Sequence, residues 1–189
     1  MRQAPGSNRL DKNTDRLPYH DAARFFHRIP FLHIMETLRI YVDTSVIGGC
    51  FDREFQEWSE ALTDHFRRGR YLAVVSDVVT KEIEGAPDFV KKRYQELLSI
   101  PAEIIDVSEE AVSLVGHYMA RGILTQRFLN DAMHIALATI AKIDMLVGWN
   151  FKHIVRLDKI RLFNTVNMAQ GYKPLTIYSP REVVHHDQE

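Results

Sequence analysis

Apolar and polar positions follow two different patterns along the chain from residue 38 onward. Short, continuously apolar runs are typical of strands that are buried on both faces of a sheet. Five such runs occur: LRIYV (38–42), YLAVVS (71–76), EIIDV (103–107), DMLVGW (144–149) and PLTIYS (174–179). Between these runs, apolar side chains recur every three or four residues, which is the spacing of an amphipathic helix.

The helical spacing predicts an α-helix in nearly every segment between strands. The predicted helices cover residues 53–69, 77–85, 87–100, 109–122 and 126–143, a stretch near 167–172, and the residues after Pro180. Strands that alternate with helices imply right-handed crossovers and a parallel sheet covered on both faces. The predicted fold class is therefore α/β, a three-layer α/β/α sandwich with a parallel sheet of four or five strands.

Residues 1–34 read differently from the rest of the chain. They show no sustained period and carry six Lys and Arg against three Asp, a net charge of about +3. This composition predicts a weakly ordered N-terminal extension. Met35 stands just before the first strand, so the extension is alternatively the product of a misassigned start. The predicted domain spans residues 35–184, and residues 185–189 form a predicted tail.

The bulk composition excludes several classes of protein. The formal net charge of −1 gives no overall attraction to nucleic acid, so any contact with RNA requires a local basic patch. Cys50 is the single cysteine, which excludes an intrachain disulfide and fits a cytoplasmic protein. No apolar run approaches the roughly 18 residues that span a bilayer, so we expect neither a membrane segment nor a signal peptide.

Polar side chains stand at or after the ends of several predicted strands. Asp43 directly follows the first strand, Glu82 lies in the helix after the second, and Asn150 follows the fourth. Asp131 interrupts the otherwise apolar helix 126–143. Because ligands of open α/β sheets bind outside the carboxyl ends of the strands, we expect these four side chains to converge there.

The chemistry of this set points to a hard divalent cation. Carboxylate and amide oxygens, without thiols or an ordered set of histidines, suit Mg²⁺ or Mn²⁺. Two alternatives remain from the residues alone: Asp43 as a helix cap, and Asp131 as a buried partner for a backbone amide or an arginine. A phosphatase with Asp43 as nucleophile is disfavoured, because Ser45 stands where a D-x-D motif has its second Asp.

Four segments together resemble the successive motifs of the PIN-domain family. They are YVDTSVIGG, SDVVTKEI, NDAMHIALA and LVGWNFKHI, and the resemblance extends over residues 35–184. Many family members are VapC-type toxins of bacterial toxin–antitoxin pairs. The resemblance implies an α/β/α sandwich, RNA cleavage dependent on Mg²⁺ or Mn²⁺, and a small antitoxin as partner. It also implies a homodimer, for which apolar positions within residues 51–66 are the expected interface.

The resemblance also assigns roles to individual residues. Asp43, Glu82 and Asp131 stand where the family has metal ligands. Thr44 and Ser45 match the small hydroxyl residues after the first Asp, one of which orients that Asp or a metal-bound water.

Asn150 departs from the family pattern, which commonly has an Asp there. An amide oxygen is still a possible metal ligand, but it carries no charge. The site then has one negative charge fewer, which weakens the binding of a second metal most. Asp158 is a candidate substitute ligand from the following segment. His134 and His153 lie near the acids, as hydrogen-bond partners of a carboxylate or as metal ligands.

Lys152 and Arg156 are candidates for neutralising phosphate charge and binding RNA, or else they are exposed charges on a helix.

Two functions therefore stay open. The first is a metal-dependent endoribonuclease, the toxin of a toxin–antitoxin pair. The second is a catalytically weak PIN-fold module that binds nucleic acid or a partner, with Asn150 as the cause of the weakness.

Overall fold

The computed structural model describes residues 37–186, and all statements about the fold concern those residues. The predicted extension over residues 1–34 lies outside the described part of the chain, as do residues 187–189 of the predicted tail. Within the described part, no helix is both long enough and apolar enough to cross a membrane.

Five short strands form one parallel sheet with the order β3-β2-β1-β4-β5. They are β1 (Arg39–Val42), β2 (Leu72–Ser76), β3 (Ala102–Ile105), β4 (Met145–Val147) and β5 (Thr176–Tyr178). The three central strands β2, β1 and β4 are almost entirely buried, as their continuous apolar runs predict. The predicted α/β fold class with a parallel sheet is confirmed.

The helices of the described residues account for most of the connections between strands. They are α1 (Thr44–Gly49), α2 (Gln56–Arg67), α3 (Asp77–Glu84), α4 (Asp88–Leu98), α5 (Glu109–Ala120), α6 (Leu129–Ile140), α7 (Leu157–Ala169) and α8 (Pro180–His186). A single 3₁₀ turn, Gln126–Phe128, leads into α6.

Most element ends differ from the prediction by one to three residues, and three helices differ more clearly. The short helix α1 starts immediately after Asp43 and was not predicted as a separate element. Helix α7 begins at Leu157, ten residues before the predicted stretch near 167–172. Its apolar side chains are spread around the helix, and Leu157, Leu162 and Met168 are exposed, so the sequence shows little helical period there. Helix α8 includes His185, which had been assigned to the tail.

The helices cover both faces of the sheet. The connections from β1 to β2 and from β2 to β3 move in one direction across the sheet, whereas those from β3 to β4 and from β4 to β5 move in the other. Right-handed crossovers therefore place α1 to α4 on one face and α5 to α7 on the opposite face. The packing agrees, since α2 contacts α1 and α8 while α5 contacts α6 and α7.

The chain reverses its direction across the sheet between β1 and β4. In open α/β sheets, the crevice at such a switch point, outside the carboxyl ends of the strands, is where ligands bind. Asp43 follows β1 at this edge, and Gly148 to Asn150 follow β4. The topology alone thus brings two of the predicted site segments side by side.

Arg39 and Asp144 tie the opposite edge of the sheet together. The Arg39 backbone amide donates to Asp144 Oδ2 over 2.8 Å, and the guanidinium pairs with Glu103 at 2.6 Å. Arg39 also donates to the carbonyl of Ala141 over 2.9 Å. Asp144 therefore lies at the amino end of β1, away from Asp43.

Trp149 links the end of β4 to the first two helices. Its indole Nε1 donates to Ser59 Oγ on α2 over 2.8 Å, and its ring stacks on Phe55 with centroids 4.5 Å apart. Gly49, the last residue of α1, lies directly under this ring. A Cβ added to Gly49 would come within 2.7 Å of both Ser59 Oγ and Trp149 Nε1, whereas one on the neighbouring Gly48 would meet nothing within 4 Å.

We expect Gly49→Ala to lower the free energy of unfolding by about 1–3 kcal/mol, because the new methyl group displaces the Trp149 ring. Gly48→Ala is the matched control in the same helix. It should be neutral or stabilising by up to about 1 kcal/mol, since alanine favours a helix over glycine. Urea unfolding of both variants measures the difference, and equal stabilities for the two would contradict this packing.

Candidate metal centre

Asp43 is at once a helix cap and a residue of the sheet edge. Its backbone amide still donates to the carbonyl of Val147 over 3.0 Å, so it continues the hydrogen bonding between β1 and β4. Its side-chain Oδ2 caps α1 by accepting from the amide of Ser45 over 3.2 Å, and it also accepts from the Ser45 hydroxyl. The two interpretations of Asp43 from sequence are therefore compatible.

Two residues of the β4 end hold Asp43 in place. The Trp149 amide donates to Ser45 Oγ over 2.8 Å, so the serine hydroxyl is fixed from both sides. Gly148 lies so close that a Cβ there would come 3.1 Å from Asp43 Oδ2. Ser45 thus orients the carboxylate, as the sequence predicts for one of the two hydroxyl residues.

Glu82 extends from α3 toward Asp43 and receives three donors. The Thr44 hydroxyl donates to Oε2, Asn130 Nδ2 donates to Oε1 over 2.9 Å, and His134 Nε2 lies 3.2 Å from Oε2. Burial alone would raise the pKa of Glu82, but the hydrogen bond and charge of His134, with Thr44 and Asn130, lower it to about 2. Glu82 is therefore ionised, and Thr44 orients Glu82 rather than Asp43.

His134 lies at the centre of the site and is almost completely buried. Its Nε2 is 3.2 Å from Glu82 Oε2 and 3.6 Å from Asp43 Oδ1. Burial opposes the charged imidazolium, but the hydrogen bond to Glu82 and the negative charges of Asp43, Glu82 and Asp131 outweigh it and raise the pKa of His134. The acids around His134 thus favour the protonated form of its ring, against the effect of burial.

Tyr41 fixes the other side of the His134 ring. Its buried hydroxyl lies 2.8 Å from His134 Nδ1 and 2.5 Å from Ser76 Oγ. The tyrosine oxygen both donates and accepts, so one hydroxyl bonds the ring nitrogen and the serine together. A chain of hydrogen bonds therefore connects the second strand, through the first strand and α6, to the Glu82 carboxylate.

Asp131 stands in the first turn of α6, half-buried, with a different kind of partner. Asn150 Nδ2 donates to Asp131 Oδ1 over 3.1 Å. Burial raises the pKa of Asp131; His153 and His134 lower it, while the nearby charge of Asp43 raises it further. The pKa of Asp131 is raised overall, because burial and the charge of Asp43 outweigh the two histidines and the hydrogen bond from Asn150.

Asn150 has both ends of its amide engaged. Its Oδ1 accepts from the backbone amide of His153 over 3.0 Å, while its Nδ2 donates to Asp131. Rotating the amide by 180° would set oxygen against the Asp131 carboxylate and nitrogen against an N–H, so only this orientation satisfies both partners. Direct metal ligation by Asn150 stays a prediction; its established contact is the hydrogen bond that holds Asp131.

The donor chemistry of the cluster fits a hard divalent cation. Asp43, Glu82 and Asp131 supply three carboxylates, and burial is the main reason that the pKa of Asp131 is raised, with the charge of Asp43 adding to it. Within residues 37–186, no three His, Cys, Asp or Glu side chains already stand at metal-binding distances from one centre. The carboxylates instead bind their protein donors, which a cation would partly replace.

The remaining predicted residues follow Asn150 in the segment before α7. Lys152 lies in a turn rather than on a helix, and Arg156 is the residue just before α7. Arg156 Nε pairs with Asp158 Oδ1 at 2.7 Å, and both side chains are exposed. The carboxylate of Asp158 is therefore directed to Arg156, and its pKa is lowered by that hydrogen bond.

Four residues of the site carried no assigned role from sequence. Asn130 donates to Glu82, Tyr41 and Ser76 position His134, and Gly148 gives Asp43 its space. All four fall inside the motifs YVDTSVIGG, SDVVTKEI, NDAMHIALA and LVGWNFKHI. Tyr41 stands in the continuous apolar run of β1, and nothing in the sequence marks its hydroxyl as part of a network.

Comparison with known proteins supports the fold. No protein-family model matches the chain, and no curated protein matches it. Among solved structures, that of FitAB bound to the IR36 DNA fragment has a TM-score of 0.50 and 13% identity, covering 75% of this chain and 94% of that chain. That of VapBC2 from Rickettsia felis, bound to a DNA fragment from their promoter, has a TM-score of 0.49 and 13% identity, covering 75% and 98%. At this identity, the likeness to FitAB concerns the fold alone.

We expect the Asn150–Asp131 hydrogen bond to contribute stability without any metal. A double-mutant cycle of Asn150→Ala and Asp131→Ala in EDTA should give a coupling of about 1 kcal/mol, because the acceptor is charged but half-exposed. The Asn150–His153 contact is lost in both arms of the cycle and cancels. Urea unfolding of the four proteins provides the measurement.

The matched control is the cycle of Asn150→Ala with Asp144→Ala at the opposite edge of the sheet. Distant sites add within about 0.5 kcal/mol, so no coupling is expected there. An Asn150–Asp131 coupling as small as this control would show that Asn150 does not hold Asp131.

Proposed function

We propose that this protein is a metal-dependent endoribonuclease that hydrolyses RNA phosphodiester bonds with Mg²⁺ or Mn²⁺. The observation that carries the proposal is the cluster of Asp43, Glu82 and Asp131 at the switch-point crevice, where His134 Nε2 lies 3.6 Å from Asp43 and 3.2 Å from Glu82. Such a cluster is unfavourable unless a cation or a proton accompanies it. The resemblance of the four motifs to the PIN-domain family supports the same activity.

Asp43, Glu82 and Asp131 are the proposed ligands of the metal, with Asn150 beside them. A divalent ion bound there supplies an activated water and offsets charge on the phosphate oxygens. Ser45 holds one oxygen of Asp43, so the free Oδ1 faces His134 and the cluster. Thr44 and Asn130 fix the Glu82 carboxylate in the same way.

His134 has a positioning role in this proposal. Its Nε2 lies between Asp43 and Glu82, and the ring is too buried to reach a polynucleotide. Tyr41 keeps the ring in place, so the carboxylates stay ordered in the metal-free protein. The same residues reduce the repulsion among the acids before a metal binds.

The biological role that we propose is that of a toxin controlled by a small antitoxin. This proposal rests on the resemblance to VapC-type proteins, and the likeness in fold to FitAB is compatible with it. A homodimer is the further proposal. In the range expected for its interface, Leu62 and Phe66 belong to the core, whereas Phe51 is 48% exposed and packs against the equally exposed Phe89.

Wild-type protein should cleave single-stranded RNA in the presence of Mn²⁺ or Mg²⁺, and chelation by EDTA should abolish cleavage. Asp43→Asn and Asp131→Asn should each lower the rate by about a hundredfold or more, because each removes a charged ligand of the metal. Gel analysis of a labelled RNA under single-turnover conditions measures the rates.

Asp144→Asn is the matched control for these two variants, since it removes a carboxylate at the opposite edge of the sheet. It should cleave at the wild-type rate. If Asp43→Asn and Asp131→Asn both still cleave RNA, the proposed ribonuclease site is refuted. If wild type binds RNA without metal and does not cleave it, the binding module is favoured instead.

Mn²⁺ should also stabilise the wild-type fold, because a ligand that binds only the native state raises its stability. At about a hundred times the dissociation constant, the gain is about 2.7 kcal/mol. Asp131→Asn should show a much smaller gain, and Asp144→Asn the full gain, in thermal unfolding with and without Mn²⁺. Equal gains in all three proteins would place the ion outside the proposed site.

A further inference from the structure

A positively charged groove lies next to the carboxylate cluster. One side is formed by the backbone of residues 122–125 after α5, and the other by the segment that connects Asn150 to α7. Phe128, Lys152, His153, Arg156 and Lys159 contribute side chains, and the groove has a volume of about 280 Å³. We call this feature the basic groove.

The basic groove collects cations without acids. Three of its side chains, those of Lys152, Arg156 and Lys159, carry positive charge, and no Asp or Glu is among the described residues that line it. Asp158 lies outside the lining and pairs with Arg156 in an exposed contact, which is worth little in water. Lys159 donates to the carbonyl of Ile123, so its ammonium is held at the wall of the groove.

An aromatic pair forms part of the same groove. The rings of Phe128 and His153 lie 3.8 Å apart between centroids, with an angle of 33° between their planes. The ammonium of Lys152 stands 5.9 Å from the Phe128 ring, and the guanidinium of Arg127 stands 5.8 Å from it. Cations close to aromatic rings are the combination with which proteins bind single-stranded nucleic acid.

His153 also has an unsatisfied polar atom. Its Nε2 is buried and has no hydrogen-bond partner among residues 37–186. Buried polar atoms without a partner are rare, and each calls for an explanation. The ring is held in the groove by its contact with Phe128 and not by a hydrogen bond from Nε2.

The basic groove and the carboxylate cluster are joined through one residue. Asn150 accepts from the His153 amide at 3.0 Å on the groove side and donates to Asp131 at 3.1 Å on the other. The acids alone repel a polyanion, and the whole chain carries a net charge of −1. A nucleic acid that reaches the acids therefore needs these neighbouring cations for its affinity.

We propose that the basic groove binds a backbone phosphate of the RNA strand next to the phosphate that is cut, through Lys152 and Arg156. This inference deepens the proposed ribonuclease function and rests on it for the identity of the strand. The groove is a second binding site along the same RNA strand. A substrate with a single phosphodiester therefore cannot occupy both the groove and the carboxylate cluster.

Replacing both exposed cations, Lys152→Gln with Arg156→Gln, should weaken binding of a labelled single-stranded RNA of ~12 nucleotides about tenfold at low salt. The slope of log affinity against log salt should become less steep by about 0.7, since one phosphate contact is lost from a single strand. Fluorescence anisotropy in EDTA measures both quantities, and it does not depend on cleavage.

The matched control is Lys91→Gln with Lys92→Gln on α4, which also removes two cations, one of them in an exposed pair with Asp88. The control should bind RNA like wild type. If both double variants lose affinity equally, or if wild type does not bind the RNA, the groove is not a phosphate subsite.

A cleavage experiment separates this inference from the proposed function. With Mn²⁺, Lys152→Gln/Arg156→Gln should raise KM about tenfold for a longer RNA. The KM for a dinucleoside monophosphate, which has one phosphodiester, should stay unchanged. An equal loss on both substrates would overturn the subsite. Absence of cleavage by wild type would instead refute the ribonuclease and leave the anisotropy result standing.

Discussion

Mutual repulsion among one buried and two half-buried carboxylates is the constraint on which the site depends. Asp43, Glu82 and Asp131 come from three separate segments, and each loses solvent on folding, so their charges must be compensated. His134 contacts two of them, and Asn150 donates to the third. The two contacts differ, because the His134 ring reaches two carboxylates from within the core, whereas Asn150 offers Asp131 a single hydrogen bond. Burial raises the pKa of Asp131, whereas the hydrogen bonds of His134, Thr44 and Asn130 lower that of Glu82.

The fold brings the acidic residues together and also supplies the contacts that hold them in place. The reversal of chain direction between β1 and β4 brings Asp43 and Asn150 to one crevice. The close approach of Gly148 and the ring of Trp149 then leave little freedom at the β4 end. On the far edge, Arg39 and Asp144 bind strands together without any part in the crevice. Charge is thus distributed so that one end of the sheet is neutralised and the other is left acidic beside a basic groove.

Much of this arrangement is predictable from the sequence, and the rest depends on long-range contacts. Apolar runs predict the strands, and the rule for parallel sheets places Asp43 and Asn150 at one edge. The helix α1 is less visible, since it is six residues long and contains Gly48 and Gly49. The partner of Asn150 is invisible in the sequence, because a hydrogen bond across 19 residues leaves no periodic signal. The same holds for Tyr41, whose hydroxyl joins two residues that are far apart in sequence.

A crystal structure of the protein soaked with Mn²⁺ would locate the ion by its anomalous scattering, without assumptions about activity. We expect an anomalous peak about 2.0–2.3 Å from carboxylate oxygens of Asp43, Glu82 and Asp131. A well-diffracting, Mn²⁺-soaked crystal with no peak between these carboxylates, or with manganese bound only elsewhere on the surface, would contradict the proposed metal site.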